Sequence, residues 1–346
     1  MKAGLVGYAQ SGKTTLFNAL TGLHKGSGGG RVQVNLGAIK VPDPRIDALS
    51  KLFKPKKTTY AEMQFVDVPG PAGKGTGLDP DALKALAGVD AFCLVVRGFP
   101  AADGTAADPE RELRDFDAEL VLHDLALVEK RLDRLRKEQH KGTGEYHELE
   151  RLHAQLDDGK PLRVMKWSDA EEKELAHFDF LSRRPMLVVV NVGEDAAAAP
   201  PPPGVEAAAR ELASEVLPLC AAVEAEIAEL APAEQPEFLA SLGLTEPAQA
   251  RFIRAAYHLL DLVSFFTVGE DEVRAWPIRR GDKAPRAAGR IHSDLERGFI
   301  RAEVMHYDEF MKVGSEAKAR QEGKLRLEGK EYVVRDGDIL NIRFAV

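Results

Sequence analysis

The chain has 346 residues, long enough for two or three domains and a substantial core. Its net charge of −8 argues against a broad electrostatic grip on nucleic acid but leaves room for a local basic patch. No apolar run is long enough to span a membrane. The two cysteines, Cys93 and Cys220, lie in strand-like apolar runs and read as reduced core residues, not a disulfide or metal pair. The N-terminus enters a strand directly, so no signal peptide is expected, and the cytoplasm is the expected compartment.

Ala3 to Val6 reads as a short strand, and Thr15 to Leu20 as the start of a helix. Between them lies Gly7-Tyr8-Ala9-Gln10-Ser11-Gly12-Lys13-Thr14, two glycines four residues apart followed by Lys and Thr. A strand, this loop and a helix form the setting in which backbone N–H groups wrap a phosphate. The N–H groups of Gln10 to Thr14 are expected around a β-phosphate, and the helix N-terminus that Thr15 enters adds partial positive charge. Lys13 is expected to reach the β- and γ-oxygens, and the Thr14 hydroxyl to hold Mg²⁺.

Thr21 to Gly30 dissolves into glycines and a serine, where a GTPase-like fold keeps its first switch. No Thr lies between Gly22 and Lys57 to complete a Mg²⁺ shell; Arg31 is open to two readings, a phosphate ligand or a solvated loop residue. Val32 to Val41 reads as a strand. Asp43 then caps a helix from Pro44 to Phe53, with Ile46, Leu49, Leu52 and Phe53 at helical spacing. Lys51, Lys54, Lys56 and Lys57 form a basic cluster, read as a solvated face in preference to a phosphate site.

Ala61 to Val68 is a further strand, ending in Asp67-Val68-Pro69-Gly70. A strand-end Asp downstream of a phosphate loop can hold a Mg²⁺-bound water, and Gly70 can offer its N–H to a γ-phosphate. Pro71 stands where many relatives of this fold carry a water-orienting Gln, so hydrolysis must position water by other means. Ala72 to Gly77 reads as the second switch. Asp90 to Val96 is a buried strand, and the loop Gly98 to Asp108 contains no His to act as a base.

Leu125, Val128, Leu132 and Leu135, then Leu149, Leu152 and Leu156, repeat at 3-4 spacing on either side of Lys141-Gly142-Thr143-Gly144. This predicts an antiparallel helical hairpin with charged faces, either a docking arm or an inert insert. Pro185 to Val190 returns to a buried strand that ends at Asn191-Val192-Gly193-Glu194. Guanine-specific folds place Asn-Lys-x-Asp here. Glu194 is one methylene longer than that Asp, and Val192 replaces the Lys, so bidentate guanine reading weakens and adenine becomes plausible. The alternative is a plain loop carboxylate.

Ala196 to Gly204 is a proline-rich surface connection. Val216 to Cys220 is read as the domain's last strand, leading into Ala221-Ala222-Val223-Glu224. That run resembles a loose Ser-Ala-x-x-Glu element whose backbone contacts the base, with Cys220 in the Ser position. Phe238 to Leu262 is mostly helical. From Val263 the pattern turns to strands: Val273 to Ile278, Gly298 to Val304, Lys324 to Leu327, Tyr332 to Val334 and Ile339 to Phe344, with Asp336-Gly337-Asp338 as a turn between the last two. This small α/β domain is either a structural cap or a partner-binding module.

Together these residues resemble the YchF-type Obg-like ATPases, a branch of the translation-factor class of P-loop NTPases, over nearly the whole chain. The resemblance rests on the phosphate loop, Val41-Pro42-Asp43-Pro44-Arg45, Asp67 to Gly70, Asn191 to Glu194 and Cys220 to Glu224. It continues in Phe265-Phe266-Thr267, Glu272 to Trp276, Ala288 to Asp294, Lys324 to Lys330 and Asp336-Gly337-Asp338. It implies an α/β fold: a P-loop NTPase domain with an inserted helical hairpin and a small C-terminal β-grasp (TGS) domain. The expected division is 1–118 and 184–230 for the nucleotide domain, 119–183 for the hairpin, 231–262 for a helical bridge and 263–346 for the TGS domain.

The resemblance also implies ATP preferred over GTP, slow hydrolysis, and association with the ribosome or RNA. The alternative is a non-hydrolysing nucleotide sensor or scaffold. It is motivated by three departures from the family pattern: Arg31 near the switch threonine's place, Pro71 where a larger aliphatic residue is usual, and the missing His. The expected nucleotide residues are Gln10, Ser11, Gly12, Lys13, Thr14, Thr15, Gly70, Asn191, Glu194, Cys220 and Ala221, with Thr14 and Asp67 at Mg²⁺. No catalytic residue is assigned, and the oligomeric state is left open.

Overall fold

A computed structural model of the protein describes residues 2–22, 35–68, 80–140, 142–175 and 177–345. Its strands are β1 (Lys2–Val6), β2 (Asn35–Lys40), β3 (Lys57–Thr59), β4 (Glu62–Asp67), β5 (Ala91–Gly98), β6 (Met186–Val192), β7 (Glu215–Leu219), β8 (Leu262–Thr267), β9 (Glu272–Arg279), β10 (Phe299–His306), β11 (Arg326–Glu328) and β12 (Asp338–Phe344). Its α-helices are α1 (Lys13–Thr21), α2 (Pro44–Phe53), α3 (Pro80–Ala87), α4 (Pro109–Lys137), α5 (Gly144–Asp157), α6 (Asp169–Glu174), α7 (Pro203–Glu211), α8 (Ala221–Glu229), α9 (Gln235–Ser241), α10 (Ala248–Leu259), α11 (Ala284–Ile291), α12 (Ser293–Arg297), α13 (Tyr307–Val313) and α14 (Glu316–Gln321). The chain divides into two compact units, Met1–Gly37 with Gln64–Phe252, and Ala38–Met63 with Ile253–Val346.

The sheet of the first unit has the order β2-β4-β1-β5-β6-β7. β1 runs parallel to β4 and β5, β5 to β6, and β6 to β7. Residues 91–96 of β5 and all of β6 are buried, because helices cover both faces of a parallel sheet and leave its central strands no polar side. Their core includes Phe92, Leu94, Val188 and Val190, packed with Leu113, Phe116 and Leu120 of α4.

Helix α4 is continuous for 29 residues, about 43 Å at 1.5 Å per residue. The expected boundary at 118/119 therefore falls inside one helix. Pro109 occupies its first turn, and Asp108 caps it by accepting from the Arg111 N–H. Its distal half pairs with α5, capped by Thr143, to form the hairpin read from the leucine spacing. Leu132, Leu135, Leu149, Leu152 and Leu156 meet in one apolar seam. Two buried carboxylates fix the middle of α4. Asp117 pairs with Arg163, both side chains 3% exposed, and Asp124 accepts the N–H groups of Leu181 and Ser182 at 3.0 and 2.7 Å. Neither network has a local sequence signal.

The sheet of the second unit has the order β11-β10-β12-β8-β9-β3. Residues 38–63 were expected within the nucleotide domain, but they sort with the C-terminal segment. The cause is β3, which pairs parallel with β9 from Lys57↔Glu272 to Thr59↔Arg274. On this outermost strand Lys57 pairs with Glu272 at 3.5 Å, and the neighbouring Lys56 with Asp271 at 2.8 Å. The basic cluster is thus a solvated face, with Lys51 and Lys54 at the end of α2 and Lys56 and Lys57 at the sheet edge, where lysines also discourage further strand pairing.

α2 forms as expected, with Asp43 accepting the Arg45 N–H and Pro44 in the first turn. Arg45 is held between two carboxylates. Its Nε and Nη2 donate to Asp43 at 2.8–3.2 Å, and Nη1 and Nη2 to Asp336 at 2.8 and 3.2 Å. The guanidinium also lies 5.2 Å from the Phe266 ring centroid. Two of the quoted motifs, Val41-Pro42-Asp43-Pro44-Arg45 and Asp336-Gly337-Asp338, therefore form a single staple inside the second unit. Gly337 (φ 87°) is required there, because a Cβ would lie 3.1 Å from both Arg45 Nη1 and His306 Nε2.

Residues 332–334 were expected as a strand and are not one. Val333 makes only an isolated antiparallel bridge to Lys283, and β12 pairs instead with β10 and β8. The acidic turn is diverted from a hairpin role because its carboxylates bond elsewhere. Asp336 accepts the Ser264 N–H, and buried Asp338 accepts from the Tyr332 hydroxyl and the Arg335 N–H.

Replacing Arg45 by Ala should destabilise the protein by about 2 kcal/mol in denaturant unfolding. The full cost of breaking a buried pair does not apply, because the Asp336 side chain is 44% exposed. Arg45→Lys should fail to restore the loss, since an ammonium cannot bridge two carboxylates in a planar fork. Burial pushes the Asp336 carboxyl up, but the hydrogen bonds from Arg45 and the Ser264 N–H outweigh it and hold the group below its ordinary 3.8. The staple's contribution is therefore complete above that value and is lost as the pH falls through the lowered range. Parent and Arg45→Ala stabilities should converge on acidification; a constant gap would assign the effect to lost packing.

Candidate nucleotide site

From β4 through β1, β5 and β6 to β7 the neighbouring strands run parallel, so the C-terminal ends of β1, β4, β6 and β7 share one edge, the edge where open α/β sheets bind ligands. β1 ends at Val6 and passes into the glycine loop, and α1 begins at Lys13. A Cβ at Gly7 would sit 2.4 Å from the Val95 carbonyl oxygen. One at Gly12 (φ 84°) would sit 2.0 Å from Asn191 Nδ2. Both glycines are forced by close approach. Gln10 also takes a left-handed conformation (φ 65°), which costs a side-chain-bearing residue about 1 kcal/mol or more. The α1 N-terminus has no side-chain cap among the described residues and no acidic residue in its first turn. Its N–H groups are thus left for an anion.

Lys13 forms an ion pair with Asp67 and donates to the Val68 carbonyl at 2.8 Å. Their side chains are 13% and 10% exposed, so cation and carboxylate meet in a largely desolvated place at the ends of β4 and the loop. Thr14 is half-buried, and Gln10 and Thr15 are exposed. The Ser11 hydroxyl is buried with no hydrogen-bond partner among the described residues. Gly70, Arg31 and Pro71, with most of both expected switch loops, lie outside the described residues.

Asn191 is 4% exposed and bonds inward. Its Nδ2 donates to the Ser11 carbonyl at 2.9 Å, and its Oδ1 accepts the Ala221 N–H at 2.9 Å. One amide thus ties the end of β6 to the phosphate loop and to the start of α8. Asn191 and Ala221, both expected at the nucleotide, lie at this edge, and no sequence signal shows that each uses the other as a partner. Glu194 is exposed in the short 3₁₀ turn Glu194–Ala196. Cys220 is the N-cap residue of α8, one position beyond β7. Burial pushes its thiol up, and the carboxylates of Glu194 and Glu224 add to the effect, which places Glu194 electrostatically beside this turn. Glu224 is buried and accepts the N–H groups of Ala248 and Gln249, both at 2.8 Å, capping α10.

Two features escaped the sequence reading. Tyr8 is half-buried, and its phenol is pushed up by burial and by Asp115, Glu119 and Glu112 of α4, so the loop abuts the root of the helical arm. The carboxylate of Glu112 in turn accepts the Arg97 N–H at 2.9 Å, at the end of β5. The residues present suit a Mg²⁺-bound nucleotide: a glycine-bounded anion cradle, an uncapped helix N-terminus, a lysine, and a hydroxyl and a carboxylate of the kinds that bind Mg²⁺.

Among known proteins, residues 262–345 match the family of YchF GTPase C-terminal regions, described as a protein of unknown function. Residues 2–131 match the 50S ribosome-binding GTPases. The chain is 41% identical to the ribosome-binding ATPase YchF of Bacillus subtilis (strain 168), covering 100% of both chains. It is 35% identical to Obg-like ATPase 1 of Oryza sativa subsp. japonica, over 100% of this chain and 92% of that one. The solved structure of the Schizosaccharomyces pombe YchF GTPase superposes with a TM-score of 0.88 at 31% identity, over 99% of this chain and 97% of that one.

Asn191→Ala should cost about 2–3 kcal/mol of stability, because it strands the Ser11 carbonyl and the Ala221 N–H in a buried place. Nucleotide affinity should fall at least tenfold, since the loop loses its tether. Calorimetric titration and thermal melting test both; unchanged nucleotide affinity would contradict the tethering role.

Proposed function

This chain belongs to the YchF family of Obg-like ATPases, and we propose that it is a nucleotide-dependent switch that hydrolyses ATP slowly and associates with the ribosome or RNA. The observation that carries the reading is the meeting of Lys13, Asp67 and the Asn191-tethered loop at one sheet edge. In this reading the N–H groups from Gln10 to Thr14 hold the β-phosphate. Lys13 exchanges its contacts with Asp67 and the Val68 carbonyl for β- and γ-oxygens.

The Thr14 hydroxyl and Asp67 are the residues that would hold Mg²⁺, which supplies charge neutralisation at the β- and γ-phosphates. Thr15 and the Gly70 N–H complete the phosphate side. Glu194 and Cys220 lie on the base side. Adenine is favoured because Glu194 sits on an exposed turn with Val192 in place of the stacking Lys, and because the Ala221 N–H is already engaged by Asn191.

The named ribosome-binding relatives support the partner assignment, and so does the distribution of charge. Ala38–Met63 with Ile253–Val346 holds 23 Lys and Arg against 19 Asp and Glu, whereas the whole chain holds 47 against 55. The basic excess therefore lies in the second unit, where contacts to phosphate backbone are expected. Among the described residues no helix is long and apolar enough to cross a membrane.

Calorimetry with Mg²⁺ should give tighter binding of ATP than of GTP, and Lys13→Ala should weaken both by 100-fold or more. Equal affinity in Lys13→Ala would sink the site assignment, and tighter GTP binding would overturn the base assignment. Pro71 and the His-free loop 98–108 favour the alternative, a non-hydrolysing sensor. Phosphate release above the Lys13→Ala background excludes it.

A further inference from the structure

Hydrolysis by this chain lacks an evident group to act on the reacting phosphoryl. Pro71 stands where many relatives of this fold carry a water-orienting Gln, and residues 98–108 contain no His. The phosphate loop itself offers one. Gln10 is the residue there that takes a left-handed conformation (φ 65°) without being glycine, whereas the next left-handed position, Gly12 (φ 84°), is glycine. A long side chain stands at a position that glycine would fill without strain. Local strain of this kind points toward function. The side chain is exposed, and its carboxamide has no hydrogen-bond partner among the described residues.

Position adds a second argument. In the reading above, Gln10 is the first of the five residues whose N–H groups surround the β-phosphate. Its side chain therefore departs from a Cα directly bonded to one of those donors. A neutral amide can follow charge moving onto phosphate oxygens without repelling them, and it neither gains nor loses a proton.

Resting on the ATPase reading, we propose that Gln10 is a catalytic residue for ATP hydrolysis, its carboxamide N–H donating to phosphoryl oxygens as the β–γ bond breaks. Water oxygen bonds to the γ-phosphorus, and the bond to the β–γ bridging oxygen breaks with its electron pair going to ADP. A proton from the water ends on the released phosphate or in solvent. Gln10 stabilises the charge accumulating on the bridge and the phosphoryl oxygens, a contribution made in the transition state more than in the bound substrate.

The test compares full-length parent, Gln10→Gly and Gln10→Asn. Gln10→Gly should lower kcat about 10- to 100-fold while leaving KM for ATP and calorimetric ADP affinity within twofold. Its melting temperature should equal or exceed the parent's, because the left-handed strain is removed. Affinity for ADP with aluminium fluoride and Mg²⁺, a mimic of the transferring phosphoryl, should fall by a similar 10- to 100-fold. Gln10→Asn keeps the amide one methylene shorter and should lie between the two. Parent-like kcat and analogue affinity in Gln10→Gly would overturn the proposal while leaving the ATPase reading intact. Parallel losses of ADP affinity and melting temperature would overturn it in favour of a structural role. Absence of turnover in the parent would overturn both readings.

Discussion

The structure depends on the parallel register of β1 with β4 and β5, and of β6 with β5 and β7. In a parallel sheet all C-terminal ends fall on one side, so residues far apart in sequence arrive at one edge without any dedicated contact. Leu5 lies opposite Asp67, and Asn191 opposite Leu219, one residue before Cys220. The polar groups that emerge there are expensive to bury, and two of them are satisfied by other members of the same edge: Lys13 by Asp67 and Val68, Asn191 by Ser11 and Ala221. Site and fold are therefore coupled. Weakening the sheet edge disperses the chemistry, and weakening a polar partner strands a buried group.

The second unit shows the same economy in a different form. A segment that leaves the first sheet after β2 and returns in β4 donates one helix and one three-residue strand to the β-sheet of the C-terminal unit. The strand is too short to hold its place by pairing alone. The Arg45 staple supplies charge-assisted hydrogen bonds, and Phe53 of α2 stacks on Phe310 with ring centroids 5.5 Å apart. Both contacts are tertiary. They explain why Val41 to Arg45 forms a recognisable motif although none of its residues is expected at the nucleotide.

How much of this was legible follows from the range of the forces involved. The phosphate loop, the helix from Pro44 and the hairpin leucines were readable because glycine conformation, capping and 3-4 spacing act within a few residues. β6 was readable because a buried parallel strand is apolar along its length, here from Met186 to Val190. β3 was not, since Lys57-Thr58-Thr59 carries no alternation and its place is set by β9. Residues 332–334 read as a strand because their β-branched and aromatic side chains satisfy the local rule. The carboxylates that redirect Asp336 and Asp338 act over longer distances. Asn191 illustrates the division most clearly. Its position at a strand end was legible, but its two hydrogen bonds, to residues 180 and 30 positions away, were not.

If the nucleotide lies as proposed, those two bonds bear on base selection. A guanine-reading site needs a carboxylate fixed in direction, so that two donors of the base meet two acceptors at once. In the proposed placement of the nucleotide, a deeply buried polar group on the base side is the Asn191 amide, and both of its ends are spent on the protein. The Ala221 N–H is spent with it. What remains is Glu194, on an exposed 3₁₀ turn and carrying one more rotatable bond than an aspartate. A carboxylate free to rotate gives up the geometric penalty by which a wrong base is rejected, because water can satisfy it when the base does not. Under that proposal, selectivity would rest on the backbone around Cys220. On those terms the weaker demand that adenine makes on a carboxylate partner suits this edge better than guanine's stricter one.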